Sequence, residues 1–362
     1  MKLLLTADCI GGVWNYALEL CAALQPLGVR VVLATLGRPL SPDQRVQLER
    51  LCHVTLCESA FRLEWMPDPW DGLARAGDWL LALERRFRPD VIHLNHLVHA
   101  DLPWRAPVLS VGHSCVLSWW EAVHGQSAPR EWDTYRRHVT GSLRASRCVV
   151  APSHAMLNAL ERHYGPFRDS AVVHNARTAR PFGSSHKKRL VLCAGRLWDE
   201  AKNIAALAAV APRIDATIAV AGETASPHGS RIESSAVRLL GALDTGTLAS
   251  WYAKAAVYAL PARYEPFGLT ALEAALSGCA LVLGDIASLR EVWGEAALYV
   301  SPDDHHGLHD ALSRLLDDEL LRARMGTRAL ERARQFTPAK LARQYMDLYR
   351  QVQCDLRCST TP

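Results

Sequence analysis

Val257-Tyr-Ala-Leu-Pro-Ala-Arg263-Tyr-Glu265-Pro-Phe-Gly268-Leu-Thr270-Ala-Leu-Glu273 reads as a strand that passes through a Pro/Gly turn into a helix. The apolar run Val257–Leu260 is the strand; Leu269, Leu272 and Leu276 then recur at helical spacing. Glu265 sits in the turn and Glu273 about one turn into the helix. A carboxylate on so apolar a stretch is costly to bury without partners. The backbone N–H groups from Phe267 to Thr270 lie at a helix N-terminus, which suits an anion. Thr270-x-x-Glu273 also fits a capping box, in which Glu273 would merely close the helix start. With Glu265 eight residues earlier, a binding role is the stronger reading.

Working outward, the same alternation of strand and helix fills the second half of the chain. Its strands are Leu190–Ala194, Thr217–Ala221, Val237–Leu240, Val257–Leu260, Ala280–Leu283 and Ala297–Val300. In the first half, Lys2–Ala7 is a strand, followed by a turn through Gly11 and Gly12 and a helix over Val13–Leu27. Val29–Leu33, Val91–Leu94, Val108–Val111, Cys148–Ala151 and Ala171–Val173 follow, and Ser41-Pro42-Asp43-Gln44 is a capping box. Thr337-Pro338 opens a last helix that runs to about Gln353. Such alternation makes parallel, doubly wound sheets. Between the two series, residues 176–189 carry Pro181, Gly183, Ser184, Ser185 and the basic run Lys187-Lys188-Arg189, and read as a linker. We therefore expect an α/β protein of two doubly wound, Rossmann-like domains facing each other across a cleft. They would span residues 1–180 and 181–340, with 341–362 as a C-terminal helix and tail packing back toward the first. Ligands of such sheets bind at the carboxyl ends of the strands.

A second chemical element, Ala194-Gly195-Arg196-Leu-Trp198-Asp-Glu-Ala-Lys202-Asn203, follows the first strand of the second series. Arg196 offers a planar fork and Lys202 a point charge, a pair that suits a diphosphate. Salt bridging to Asp199 and Glu200 would explain the same residues without a ligand.

With these residues in place, the chain resembles the retaining glycosyltransferases of the GT-B fold, family 4 (group 1). The likeness rests on the Glu265-x7-Glu273 block, the Gly195-Arg196…Lys202-Asn203 element and the Gly11-Gly12 turn. It extends over the whole chain through His113, Ser153 and Asn175. The resemblance implies transfer of a hexose from a nucleoside-diphosphate sugar, of UDP or GDP type, to a glycan, lipid-linked or small-molecule hydroxyl. It implies that Arg196 and Lys202 hold the diphosphate, that Glu265 bonds donor-sugar hydroxyls, and that Glu273 binds the ribose. Backbone amides of Phe267, Gly268, Leu269 and Thr270 would meet sugar and phosphate. Gly11 and Gly12 would let a loop approach the phosphate, Leu240 would touch the nucleobase through its backbone, and His113 would line the reaction centre. Asn175-Ala176 departs from the Asn-Gly of that family, and an αL turn suits Ala less than Gly.

The residues agree with this without the family. Sugar transfer from a diphosphate needs the leaving charge neutralised, by a metal or by Arg, Lys and helix N-termini. The sequence contains no Asp-x-Asp triplet, so no metal and no cofactor are expected beyond the nucleotide sugar. His93-Leu-Asn-His96-Leu-Val-His99 is read as a strand end lining the cleft, and Asp303-Asp304-His305-His306 as a surface loop.

Composition excludes other classes. The 362 residues are 49% hydrophobic and 22% charged, too apolar for a disordered chain. A net charge of +4 is too balanced for a dedicated nucleic-acid binder. One local excess, Arg130, Arg136, Arg137, Arg144 and Arg147, is a solvated helix face or a peripheral membrane contact. The ten cysteines are scattered without a Cys-x-x-Cys and suit free thiols. Met1–Cys9 is a strand rather than a signal peptide, and a cytoplasmic protein is expected. Eight of eleven tryptophans lie in the first domain; core packing accounts for most, and Trp119-Trp120 follow His113 closely. A dehydrogenase lacks its Gly-x-Gly-x-x-Gly. A catalytically silent sugar-binding protein and a nucleotide-sugar epimerase of the same fold are the remaining alternatives.

Overall fold

A computed structural model of the chain describes residues 1–225 and 234–359. The chain divides into two units. The first comprises Met1–Glu121, Gly125–Ala176 and the chain from Pro338 onward; the second comprises Ala122–His124 and Arg177–Thr337.

The first unit is built on seven short strands: β1 (Lys2–Asp8), β2 (Arg30–Leu36), β3 (Val54–Glu58), β4 (Val91–Leu94), β5 (Val108–Val111), β6 (Cys148–Ala151) and β7 (Ser170–Val172). They pair in the order β3-β2-β1-β4-β5-β6-β7, all parallel. Side chains on both faces of the central strands are buried, with Leu3, Leu4 and Leu5 all at 0% exposure. A parallel sheet clad by helices on both sides requires this. The helices are α1 (Gly12–Leu24), α2 (Pro42–Glu49), α3 (Trp70–Phe87), α4 (Val116–His124), α5 (Asp133–Ala145) and α6 (His154–Tyr164). The Ser41 capping box forms as expected: Gln44 N–H donates to Ser41 Oγ at 3.2 Å and Ser41 N–H to Gln44 Oε1 at 2.9 Å.

The second unit carries β8 (Lys188–Ala194), β9 (Thr217–Ala221), β10 (Arg238–Gly241), β11 (Ala255–Leu260), β12 (Ala280–Gly284) and β13 (Leu298–Val300), in the order β10-β9-β8-β11-β12-β13. Its helices are α7 (Ile204–Val210), α8 (Thr245–Lys254), α9 (Leu269–Leu276), α10 (Ala287–Trp293), α11 (His305–Asp317) and α12 (Glu319–Ala333). Every pairing is again parallel. The strand order reverses direction between β8 and β11, as it does between β1 and β4 in the first unit. The loops that leave the carboxyl ends of these strand pairs are where doubly wound sheets bind ligands.

The last helix, α13 (Pro338–Ser359), belongs to the first unit. Its Leu341, Ala342, Tyr345, Met346, Tyr349 and Val352 join the core formed by Leu20, Leu24, Leu109 and Val111. Three local readings differ from the sequence expectation. The edge strand β3 was not expected; it is half-exposed and lacks the buried apolar run that marks the central strands. The basic run 187–189 is not linker: β8 starts at Lys188, and Lys187 Nζ donates to the carbonyls of Ser277 at 2.7 Å and Tyr252 at 3.1 Å. The divide between the units falls after Ala176 and again after Thr337. The described cysteines are free thiols, and six of them are buried. No helix among the described residues is long and apolar enough to cross a membrane.

Candidate functional site

In the second unit, the turn after β8 and the turn after β11 converge. Arg263 N–H donates to the Ala201 carbonyl at 2.8 Å, and Asn203 Nδ2 donates to the carbonyls of Pro261 at 3.0 Å and Pro302 at 2.7 Å. Asn203 adopts the left-handed conformation, φ 55°, which a short amide side chain tolerates. This lacing brings Lys202 and Glu265 together. Lys202 Nζ lies 2.7 Å from Glu265 Oε2, with the two side chains only 13% and 15% exposed. The other carboxylate oxygen, Oε1, accepts from Gly268 N–H at 2.9 Å and Phe267 N–H at 3.4 Å. Glu265 therefore closes the start of α9, where the capping residue is Gly268 at φ 88°. A side chain there would be strained, so glycine is required. Farther along that first turn, the N–H groups of Leu269 and Thr270 donate no hydrogen bond among the described residues, as the opening turn of a helix leaves them. The Thr270 hydroxyl accepts from Tyr258 Oη at 2.7 Å.

The expected placement of amides changes accordingly. Phe267 and Gly268 face a carboxylate of their own chain, and Leu269 and Thr270 remain open to an outside anion. Glu273 does not close the start of α9: the capping position is Gly268, and Glu273 lies inside the helix. Its carboxylate, 5% exposed, lies 2.8 Å from Arg177 Nε. Arg177 was not singled out in the sequence; it stands 96 positions away, and nothing local marks it.

Arg196 follows β8. Its Nη2 donates to Asp199 Oδ2 at 2.9 Å, its guanidinium lies 5.3 Å from the Trp198 ring centroid, and its side chain is 35% exposed. Asp199 Oδ1 in turn accepts from Ala201 N–H at 3.1 Å. The salt bridge to Asp199 weighed from the sequence is thus present, and it orients a fork that retains further donors. Leu240 is half-buried in β10, beside a register shift between Leu239 and Gly241, where Gly222 N–H donates to the Gly241 carbonyl at 2.8 Å.

In the first unit, Gly11 stands at φ 88° and caps α1, with Gly12 as its first residue; both are exposed. His113, after β5, is half-buried against Tyr16 of α1, with ring centroids 4.4 Å apart and planes at 65°. Its Nε2 is 2.9 Å from Asn95 Oδ1. Burial pushes the His113 pKa down to about 3, so the ring is neutral.

The histidine-rich segment 93–99 corrects an expectation. It does not line an opening: His93 is 0%, His96 6% and His99 7% exposed. A chain of hydrogen bonds links these rings. Tyr349 Oη lies 2.7 Å from His93 Nδ1, Thr6 Oγ1 3.0 Å from His96 Nδ1, and His96 Nε2 2.8 Å from His99 Nδ1. His99 Nε2 donates to the Leu73 carbonyl at 2.8 Å. Apolar walls and neutral partners make this a buried polar network rather than a metal set, and no group able to hold a metal ion occurs among the described residues. In the basic stretch 130–147, Arg136 pairs with Asp133 at 3.0 Å and Arg144 donates to the carbonyls of Tyr164 and Gly165.

Known proteins carry the same two halves. The profile described as glycosyl transferases group 1 matches residues 188–318, and that of glycosyltransferase family 4 matches residues 10–177. The D-inositol 3-phosphate glycosyltransferase of Nocardioides sp. is 35% identical over 123 residues, 33% of this chain and 27% of that protein. The glycogen synthase of Mycobacterium tuberculosis is 27% identical over 303 residues, 75% of this chain and 71% of that protein. The chain thus spans about a quarter of the first relative's length. Among solved structures, the sucrose-phosphate synthase of Thermosynechococcus elongatus superposes with a TM-score of 0.80 at 20% identity, over 98% of this chain and all of that one. HepE of Anabaena, in complex with UDP-glucose, gives 0.75 at 16% identity over 97% of this chain and all of its own.

Proposed function

The chain belongs to the group 1, family 4 glycosyltransferases of the GT-B fold, and on that footing we propose that it moves a hexose from a nucleoside-diphosphate sugar to an acceptor hydroxyl. The transfer retains anomeric configuration and needs no metal. The observation that carries the reading is the Lys202–Glu265 pair seated on the start of α9. It places a cation, a carboxylate and two open backbone amides within one pair of turns.

In this reading Lys202, Arg196 and the amides of Leu269 and Thr270 receive the diphosphate. Negative charge grows on the phosphate oxygen as the bond from the anomeric carbon to that oxygen breaks, and fixed cations and amide dipoles stabilise it. Glu265 accepts hydrogen bonds from hydroxyls of the donor sugar. Glu273, held by Arg177, accepts from the ribose, and the backbone near Leu240 meets the base. Gly11 and Gly12, exposed and without side chains, give phosphate and acceptor a close approach in the first unit. The acceptor oxygen bonds to the anomeric carbon on the face the phosphate leaves, and the departing phosphate oxygen takes the acceptor proton. His113, neutral and a weak base, positions a hydroxyl rather than removing a proton. A solved neighbour of this fold holds UDP-glucose, which makes a UDP-hexose the first donor to try, with GDP-mannose second.

A thermal-shift screen of UDP, GDP, ADP and their hexose conjugates tests the binding half, because a ligand of the folded state raises the melting temperature. Release of nucleoside diphosphate on adding acceptor mixtures tests the chemistry. Binding of none of these nucleotides at millimolar concentration would refute the reading.

A further inference from the structure

We infer that Asn95 is a positioning residue that locks His113 in the tautomer protonated at Nε2, leaving Nδ1 as a bare acceptor aimed at a sugar hydroxyl. The hydroxyl partner rests on the glycosyltransferase reading; the lock itself rests on hydrogen-bond accounting in the first unit.

The accounting starts from the amide of Asn95, which is 6% exposed. One end of it lies 2.7 Å from the Thr6 carbonyl oxygen, which can only accept. That end is therefore the NH2, and the other is Oδ1. The Asn95 N–H donates to Thr6 Oγ1 at 2.8 Å, so the residue is pinned to β1 at both its backbone and its side chain. Two imidazoles reach the single Oδ1: His93 Nε2 at 3.1 Å and His113 Nε2 at 2.9 Å. An amide oxygen has two lone pairs and no proton to give, so each ring must carry its hydrogen on Nε2. A neutral imidazole then has no hydrogen on Nδ1. For His93 that position accepts from Tyr349 Oη at 2.7 Å, and the account closes. For His113 it has no partner among the described residues. Burial keeps both rings neutral, each with its pKa pushed down to about 3.

Two consequences follow. First, His113 offers no proton and no charge to a ligand, so it meets a hydrogen-bond donor such as a hydroxyl and repels a carboxylate or phosphate oxygen. The leaving charge falls to Arg196, Lys202 and the open amides of α9. Second, the lock is not local. It runs from the Thr6 carbonyl of β1 through the Asn95 amide to a residue in the loop after β5.

The test is a long-range proton–nitrogen correlation spectrum of the full chain labelled at histidine nitrogens, at pH 7.5 and without nucleotide. The His113 signals are identified by their loss in H113Q. The expected spectrum has a protonated Nε2 and an unprotonated Nδ1 in one unaveraged tautomer. An Nδ1–H tautomer, an averaged pair or an imidazolium in the unaltered chain overturns the inference, whether or not the protein transfers sugar. In folded N95L, whose fold is checked by circular dichroism, the His113 tautomers should mix. With UDP-glucose or GDP-mannose, whichever the unaltered chain turns over faster, kcat should fall about tenfold or more, the scale of a mispositioned catalytic-site group. KM for the donor should move less than threefold. Mixed tautomers with an unaltered kcat would overturn the positioning role. If the lock is seen and neither sugar nucleotide is turned over, the glycosyltransferase reading fails while the tautomer assignment stands.

Discussion

Lys202 Nζ stands 2.7 Å from Glu265 Oε2, and the second oxygen of that carboxylate closes the N-terminus of α9. One side chain thus answers to a lysine from the β8 turn and to a helix from the β11 turn. K202A should lower kcat by roughly a hundredfold to a thousandfold, the scale of losing one transition-state donor. Nucleotide affinity, measured by titration, should change by much less. A double-mutant cycle with E265Q should give strongly non-additive rates, since each residue holds the other. Additive losses would show that the two act apart.

Arg177 should matter to stability as well as to binding. Its Nε lies 2.8 Å from Glu273 Oε1, and both side chains are mostly buried. R177A leaves a buried carboxylate short of a cation, a change that costs on the order of 3 kcal/mol. Urea unfolding should register it. R177K should recover part of the loss, because a point charge replaces the fork without its geometry. Equal stability of R177A and the unaltered chain would mean that Glu273 is held by other groups.

Acid should unfold the first unit early. Burial pushes the His93 pKa down to about 3, against about 6.5 for an unperturbed histidine. Between those values the unfolded chain binds a proton that the folded chain refuses. The stability from keeping His93 neutral is complete above about pH 6.5 and is lost as the pH falls. The loss is about 1.4 kcal/mol per pH unit for this residue. His96, lowered by burial and then by the charge of His99, pulls the same way. Urea midpoints should drop steeply from pH 6.5 to 5, before most carboxylates titrate, and the drop should be shallower in H93Q. Parallel slopes for the two proteins would contradict this.

Chelation should leave turnover intact. In the proposed reading a diphosphate is met by Arg196, Lys202 and the open amides of α9, all supplied by the chain itself. Initial rates in excess EDTA should stay within about twofold of control, a small effect beside the several kcal/mol that a catalytic metal supplies. Full loss of activity, restored by magnesium or manganese, would replace this account with a metal-assisted one.

Much of this was legible in the sequence, for a physical reason. β1, β8 and β11 are short apolar runs buried on both faces, and such runs stand out in any window. Arg196, Lys202, Glu265 and Glu273 stood out because charged residues beside apolar strands need partners. The partner of Arg196, Asp199, was legible three residues on; those of Lys202, Glu265 and Glu273 were not. The Lys202–Glu265 contact depends on how two turns lace together through Asn203 and Arg263. The Arg177–Glu273 pair joins residues with no shared local pattern. His93, His96 and His99 read as a strand end lining a cleft because their spacing does not say that Thr6, Tyr349 and the Leu73 carbonyl will satisfy them. β3 was missed because an edge strand buries too little to leave a pattern.

The path of the chain also bears on how the protein comes into being at the ribosome. Residues 177–337 form the second unit almost unaided and can fold as soon as they emerge. The first unit emerges earlier, yet its core lacks Leu341, Tyr345 and Tyr349 until the final helix is made. The half that is synthesised first is therefore finished last. Until then, the helix-facing surface of α1 and the ring of His93 wait without the tyrosines that cover them.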